Sequence, residues 1–267
     1  MLGQCKLCLK VTSLKESHFI PAGIYRRLRD ENEKNPNPFS ISRTTAIQTS
    51  KQKWAHLLCD DCEQRLNKYG ETWVLKNCVQ NDDSFPLMSI LASRSADVSS
   101  PDNPTKLYYT SNITQVDILA LAYFAVSIFW RGTIYAWNSD GSIPVTLGPF
   151  QEQFRKYLLG LEDFPIHCSL LVIVRERKII DRITYGEPVG GRHGNIHRYN
   201  FAMPGLAFTL ITSKNVPANF REKCFVHGSG NPIIVTTIID NLLMDSLLKR
   251  LKEHSSAKGG RGLLSRI

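Results

Sequence analysis

Two cysteine pairs, Cys5-x-x-Cys8 and Cys59-x-x-Cys62, have the clearest capacity for chemistry in this chain. The first pair would sit on a tight turn and the second at the start of a helix. Together they could supply the four sulfurs that a tetrahedral Zn²⁺ takes. A zinc closed by four thiolates keeps no open position, so it scaffolds rather than catalyses. The chain has seven cysteines, an odd number, and its 267 residues need no disulfide staples. Both features point to a reducing cytoplasm, where a paired Cys-x-x-Cys is a metal site more often than a disulfide.

A second group of residues stands beside these pairs. "SHFIP" follows the first pair, and "HLLCDDCEQRLN" contains the second. A zinc shared by both pairs would hold the strand carrying His18 against the helix that begins near Cys62. Glu63 directly follows the last cysteine. Asn67 lies four residues on, so the two share a helix face. An imidazole, a carboxylate and an amide would then converge beside the zinc, which makes a candidate general base and a hard-cation site.

Together these stretches, Cys-x-x-Cys, then Ser-His-Phe-Ile-Pro, then His-Leu-Leu-Cys-x-x-Cys-Glu-x-x-x-Asn, resemble a diverged HNH, or ββα-metal, nuclease of the kind that carries a four-cysteine zinc. The resemblance covers about residues 1 to 80. It implies that His18 is the general base that activates water. It implies that Glu63 and Asn67 hold a catalytic Mg²⁺ or Mn²⁺, with Ser17 at a position where the family has an Asp or His ligand. Trp54 stands where the family has the Asn that orients the base, and His56, two residues on, is the candidate for that role. The partner implied is nucleic acid, DNA in preference to RNA. Restriction and abortive phage defence are settings in which such modules occur. The alternatives are a zinc module that binds nucleic acid without cutting it, and an adaptor whose C-terminal half docks another protein.

The charge balance agrees with an anionic partner: 33 Lys and Arg against 24 Asp and Glu, a formal net charge of +9. Arg26, Arg27 and Arg29 follow His18, and Lys51 and Lys53 precede the second cysteine pair. These are the candidate phosphate contacts. The hydroxyls Ser42, Thr44, Thr45 and Thr49 could add neutral ones. Arg192 and Arg198 belong to a second basic stretch, "YGEPVGGRHGNIHRYNF", whose glycines Gly190, Gly191 and Gly194 read as a long hairpin loop. Each residue alone also has a plain structural explanation, such as a solvated helix face for the arginines or a strand histidine for His18. The cysteine pairs are what favour the chemical reading.

These side chains need elements to position them. The expected class is α+β: an N-terminal zinc-stabilised ββα-metal (treble-clef-like) module over residues 1–92, a Ser/Pro-rich linker or surface loop over 93–105, and a mixed helix and antiparallel-sheet domain over 106–267. A helix is expected after "SHFIP", and another after Cys59 with Asp60 or Asp61 as its cap. "ILALAYFAVSIFW" is too short to span a bilayer and reads as a buried helix. Phe150, Phe154, Tyr157 and Leu158 make the apolar stripe of a further helix. "CSLLVIVRE", "AFTLITS" and "PIIVTTII" read as strands. "DNLLMDSLLKRLKEH" reads as a last helix on Leu243, Leu247 and Leu251, ahead of a basic Gly-rich tail. "MLGQCKLCLK" has no apolar leader, and no membrane partner is expected. The domain over 106–267 would recognise substrate, form a homodimer or dock a protein partner.

Overall fold

A computed structural model of the chain describes residues 1–29, 36–41, 46–79, 84–138, 140–175, 184–193, 196–214 and 216–236. The expected last helix and tail, Ser42, Thr44, Thr45 and Gly194 lie outside the described residues. The class is mixed α+β, as expected.

Three strands form a small antiparallel sheet in the order β1 (Leu2–Gln4), β2 (Val11–His18), β5 (Trp54–Cys59). In the β2–β5 ladder Leu14 pairs with Cys59, Ser17 with Ala55 and His18 with Trp54, with an irregularity between Lys15 and Glu16. After β2 the chain turns through Pro21 into the short helix α1 (Ala22–Arg27), where Pro21 precedes the first turn. Helix α2 (Asp60–Leu66) begins directly after β5. Its N-cap is Cys59, in extended conformation, rather than either aspartate. Asp60 and Asp61 fall in the first turn instead, where negative charge suits the helix dipole. The helix continues through a π turn, Asn67–Glu71, into α3 (Thr72–Asn77).

The second sheet has nine strands, beginning with β3 (Phe39–Ile41) and β4 (Ala46–Gln48). They are joined by β6 (Val98–Ser100), β7 (Asn103–Tyr109), β8 (Cys168–Arg175), β9 (Thr184–His193), β10 (Ile196–Met203), β11 (Leu206–Thr212) and β12 (Pro232–Thr236). The order is β4-β3-β9-β10-β11-β8-β12-β7-β6. Among the described residues only the β3–β9 and β8–β12 pairs are parallel. The segment 93–105 thus contains β6 and the start of β7, on one edge of this sheet. The basic stretch read as a hairpin loop is mostly strand, β9 paired to β10, with Arg198 opposite Gly191 and Tyr199 opposite Gly190. A Cβ on Gly190 would lie 2.0 Å from the Tyr199 ring, so this glycine makes room for an aromatic and does not mark a loop.

Helix α4 (Pro86–Ala92) precedes the β6–β7 edge. The apolar helix is α5 (Ile118–Arg131), capped by the Asp117 carboxylate, which accepts from the Ala120 N–H at 2.9 Å. Every residue from Ala120 to Arg131 is buried. One side of α5 meets the large sheet, with Phe124 6.3 Å from Phe201 and 6.0 Å from Phe208 between ring centroids. Its backbone also approaches the π turn closely. A Cβ on Gly70 would lie 3.0 Å from both the nitrogen and the Cα of Phe124. Helix α6 (Phe150–Leu159) buries Phe154 and Leu158 and ends at Gly160, in the left-handed region at φ 72°. Residues on both sides of the segment 93–105, from Cys5 to Val235, contribute to one continuous hydrophobic core. No helix among the described residues is long and apolar enough to cross a membrane.

The Gly70 contact is a backbone-to-backbone approach, so a flexible side chain cannot relieve an intruding methyl. Gly70→Ala is expected to lower stability by about 1–3 kcal/mol, more than the helix-propensity gain returns. The urea midpoint measures this, and an unchanged midpoint would contradict the close crossing.

Candidate functional site

The residues around the first cysteine pair form a tight knuckle. The Cys5 N–H donates to the Lys10 carbonyl, and the Leu9 N–H donates back to the Cys5 carbonyl, both at 2.9 Å. Closing the turn puts Leu9 at φ 65°, a left-handed conformation unusual for a side chain of this kind. The knuckle is fastened to β5 by the Lys6 N–H on the Leu57 carbonyl at 2.9 Å. The second pair straddles the junction of β5 and α2, one cysteine as the cap and one in the first turn.

These two turns bring Cys5, Cys8, Cys59 and Cys62 together, with all four Sγ atoms within 4.8 Å of one another. Cys8 Sγ and Cys59 Sγ lie 3.8 Å apart. With Zn–S bonds of about 2.3 Å, the edge of a tetrahedron of sulfurs is about 3.8 Å. The Cys59 N–H points at Cys5 Sγ at 3.4 Å, as a donor to a thiolate would. Three of the four thiols are buried and all are free of disulfides. The crowding divides their acidities. A hydrogen bond from Cys62 holds the Cys5 thiol down to about 4. The same contact pushes Cys62 up, and burial raises Cys59. Four sulfurs competing for protons at this spacing fit a thiophilic cation that replaces those protons.

A cleft of about 310 Å³ lies beside this cluster. His18, at the end of β2, forms one wall. Glu63 and Asn67 on α2 form another, so the three residues singled out in the sequence line one cavity. Arg26 of α1 stands on its edge, exposed. The Asn67 carbonyl oxygen Oδ1 accepts from Thr72 Oγ1 at 3.0 Å. Glu63 Oε1 is buried and makes no hydrogen bond among the described residues. An orphaned carboxylate oxygen in a polar cleft fits a hard divalent cation, which takes oxygen ligands.

Two charged lining residues were not anticipated. Glu71 ends the π turn, and Arg131 ends the apolar helix α5. The Arg131 guanidinium is buried, with Nη2 2.7 Å from Glu71 Oε1 and 3.9 Å from Glu63 Oε2. Burial works against its charge, but the two carboxylates prevail and its acidity is weakened further. One signal for Arg131 was present in the sequence. A charge closing a predominantly apolar, buried helix must be paired or cost several kcal/mol.

The other candidates stand elsewhere. Ser17 does not line the cleft. It is buried, and its hydroxyl accepts from the Leu58 N–H at 3.1 Å. The alternation of strand side chains separates it from His18. His56 lies against Trp54, ring centroids 5.7 Å apart, outside the cleft lining. Arg27 donates to the Leu75 carbonyl, and Arg29 is exposed. Lys51 is exposed. Lys53 is committed to the buried Glu187, at 2.8 Å, which also accepts from Ser40 Oγ at 3.1 Å. That pair ties the approach to β5 into the large sheet and leaves Lys53 poorly placed to meet phosphate. Arg192 and Arg198 are exposed on the β9–β10 hairpin, away from the cleft lining.

Comparison with protein-family models, with curated proteins and with solved structures finds no match to this chain.

The four-sulfur site predicts about one tightly held zinc per chain by elemental analysis. Cys59→Ser should lose that ion and unfold at lower denaturant, because the Cys59 sulfur joins the knuckle to the start of α2. Full retention of the metal in this variant would remove Cys59 from the ligand set.

Proposed function

We propose that this protein is a metal-dependent endonuclease of the HNH, or ββα-metal, type that hydrolyses nucleic-acid phosphodiester bonds, DNA in preference to RNA. The observation that carries the reading is the convergence of His18, Glu63 and Asn67 on one cleft beside four clustered thiols. The succession of β2, β5 and α2, two antiparallel strands and then a helix, suits the same reading.

In this reading His18 takes a proton from the attacking water. Its place at the end of β2, paired with Trp54 of β5, would supply the orientation that general base catalysis needs. Glu63 and Asn67 would hold the divalent ion, which, when bound, supplies Lewis-acid stabilisation of the charge developing on the phosphate and the leaving oxygen. Glu63 Oε1, with no other partner among the described residues, is the oxygen available for this role. Arg26, exposed at the cleft edge, meets a flanking phosphate, and the net charge of +9 draws a polyanion to the surface. The zinc of the four thiolates stays structural.

A second reading, a zinc module that binds nucleic acid without cutting it, is favoured by one observation. The Ser17 hydroxyl is turned onto the Leu58 N–H, so the position that resembles the family's first ligand adds nothing to the cleft.

Supercoiled plasmid incubated with the zinc-loaded protein and Mn²⁺ or Mg²⁺ separates the two. Nicking by the wild type should fall by about 10²–10⁴-fold in His18→Ala, with salt-sensitive DNA binding retained. Equal cleavage by both would remove His18 from the mechanism. Binding without cleavage by either would leave the second reading standing.

A further inference from the structure

The geometry points to Arg131 and Glu71 as positioning residues that hold the Glu63 carboxylate in place for the divalent cation, so that helix α5 completes a site the N-terminal strands and helix do not finish alone. The inference rests on the function proposed above and adds to it a role for the second half of the chain.

Arg131 is 2% exposed at the end of a helix that is otherwise apolar. A guanidinium placed there for stability alone is a poor choice, because well-packed apolar residues of similar volume often serve as well or better. Its charge is directed at the cleft. Nη2 bridges Glu71 Oε1, at 2.7 Å, and Glu63 Oε2, at 3.9 Å. One oxygen of Glu63, Oε2, thus faces the Arg131 guanidinium at ion-pair distance, longer than a hydrogen bond, and the other, Oε1, is the one left without a protein partner among the described residues. A ligating carboxylate with its second oxygen fixed by an outer group is how metal sites orient their ligands. Arg131 Nε and Nη1 also make no hydrogen bond among the described residues, whose polar atoms use only part of its donors.

The helix geometry serves the same end. Glu63, Asn67 and Glu71 are spaced four and four. An uninterrupted α-helix advances about 40° over each such step, so Glu71 would drift away from Glu63. The π turn Asn67–Glu71 is wider and takes back part of this rotation, leaving all three on the cleft. Single π turns of this kind occur frequently at functional sites. Gly70, inside that turn, permits the close approach of α5. Arg131 lies two helical turns beyond Phe124, on the same face of α5 as this contact.

The positioning role makes a prediction opposite to that of simple charge. Deleting a cation beside a metal site should tighten metal binding if Arg131 acts only through space. Loss of positioning should weaken it. The double variant Glu71→Met/Arg131→Met removes one charge of each sign and leaves the cleft's net charge unchanged. Mn²⁺ affinity of the full-length, zinc-loaded chain is read by isothermal titration calorimetry, with zinc content measured alongside. The double variant should keep its zinc and bind Mn²⁺ about 10–100-fold more weakly. Wild-type or tighter affinity would overturn the positioning role. If the double variant does not fold, Arg131→Lys decides in the same way: it keeps the charge but loses the planar fork, so weaker Mn²⁺ binding supports the role and unchanged binding overturns it. Glu63→Gln reads the underlying function separately. If it binds Mn²⁺ as the wild type does, or the wild type binds none, the assignment of Glu63 fails, and the positioning role with it.

Discussion

The arrangement of this protein's cleft depends on the meeting of two short segments that each bring two cysteines to one point. Four sulfurs from residues 5–8 and 59–62 lie within 4.8 Å of one another, at the point where β5 becomes α2. The knuckle and the β5–α2 junction have few ways to hold their relative angle, because β1 is three residues long and α2 seven. Small elements of this kind need a staple when packing alone is insufficient. Once the junction is held, the direction of α2 relative to β2 follows, and with it the placement of Glu63 next to Cys62 and of His18 across the cleft.

Helix α5 supplies the second constraint. It packs its aromatic side chains on the large sheet and its backbone against the π turn at Gly70. The same helix ends in Arg131, which neutralises a pair of carboxylates that would otherwise repel one another at the cleft wall. Core packing and cleft electrostatics are therefore coupled through one element. A shift of α5 away from Gly70 would also move the guanidinium. Further ties bind the halves of the chain. Arg155 of α6 donates to the Leu7 carbonyl in the cysteine knuckle at 2.6 Å, and Phe19 stacks on Trp137 at 4.8 Å. The parallel β3–β9 pair carries the early part of the chain into the large sheet.

These couplings explain which sequence expectations held and which changed. The cysteine pairs were legible because ligand spacing is a local property. The convergence of His18, Glu63 and Asn67 on one cleft was legible from the closeness of Glu63 to Cys62 and an i, i+4 step. Helices α5 and α6 were legible from their apolar runs. Lys53 looked like a phosphate contact because only its charge and its neighbours were visible. Its actual partner, Glu187, lies 134 residues away. The β9–β10 hairpin was obscured by glycines. Gly190 is there to admit the Tyr199 ring, a requirement set by the opposite strand.

The sequence by itself determined the thiol set, the strand that ends in His18, the helix face of Glu63 and Asn67, and the apolar character of α5. Each of these is written in local patterns, a Cys-x-x-Cys spacing, an i, i+4 step or one continuous apolar run, where chain geometry leaves little choice. Only the tertiary structure decided that Ser17 turns onto the Leu58 N–H, that Lys53 is consumed by Glu187, and that Arg131 and Glu71 wall the cleft. Those outcomes depend on contacts between residues far apart in the chain, and a buried charge takes whichever partner the packed core places within reach.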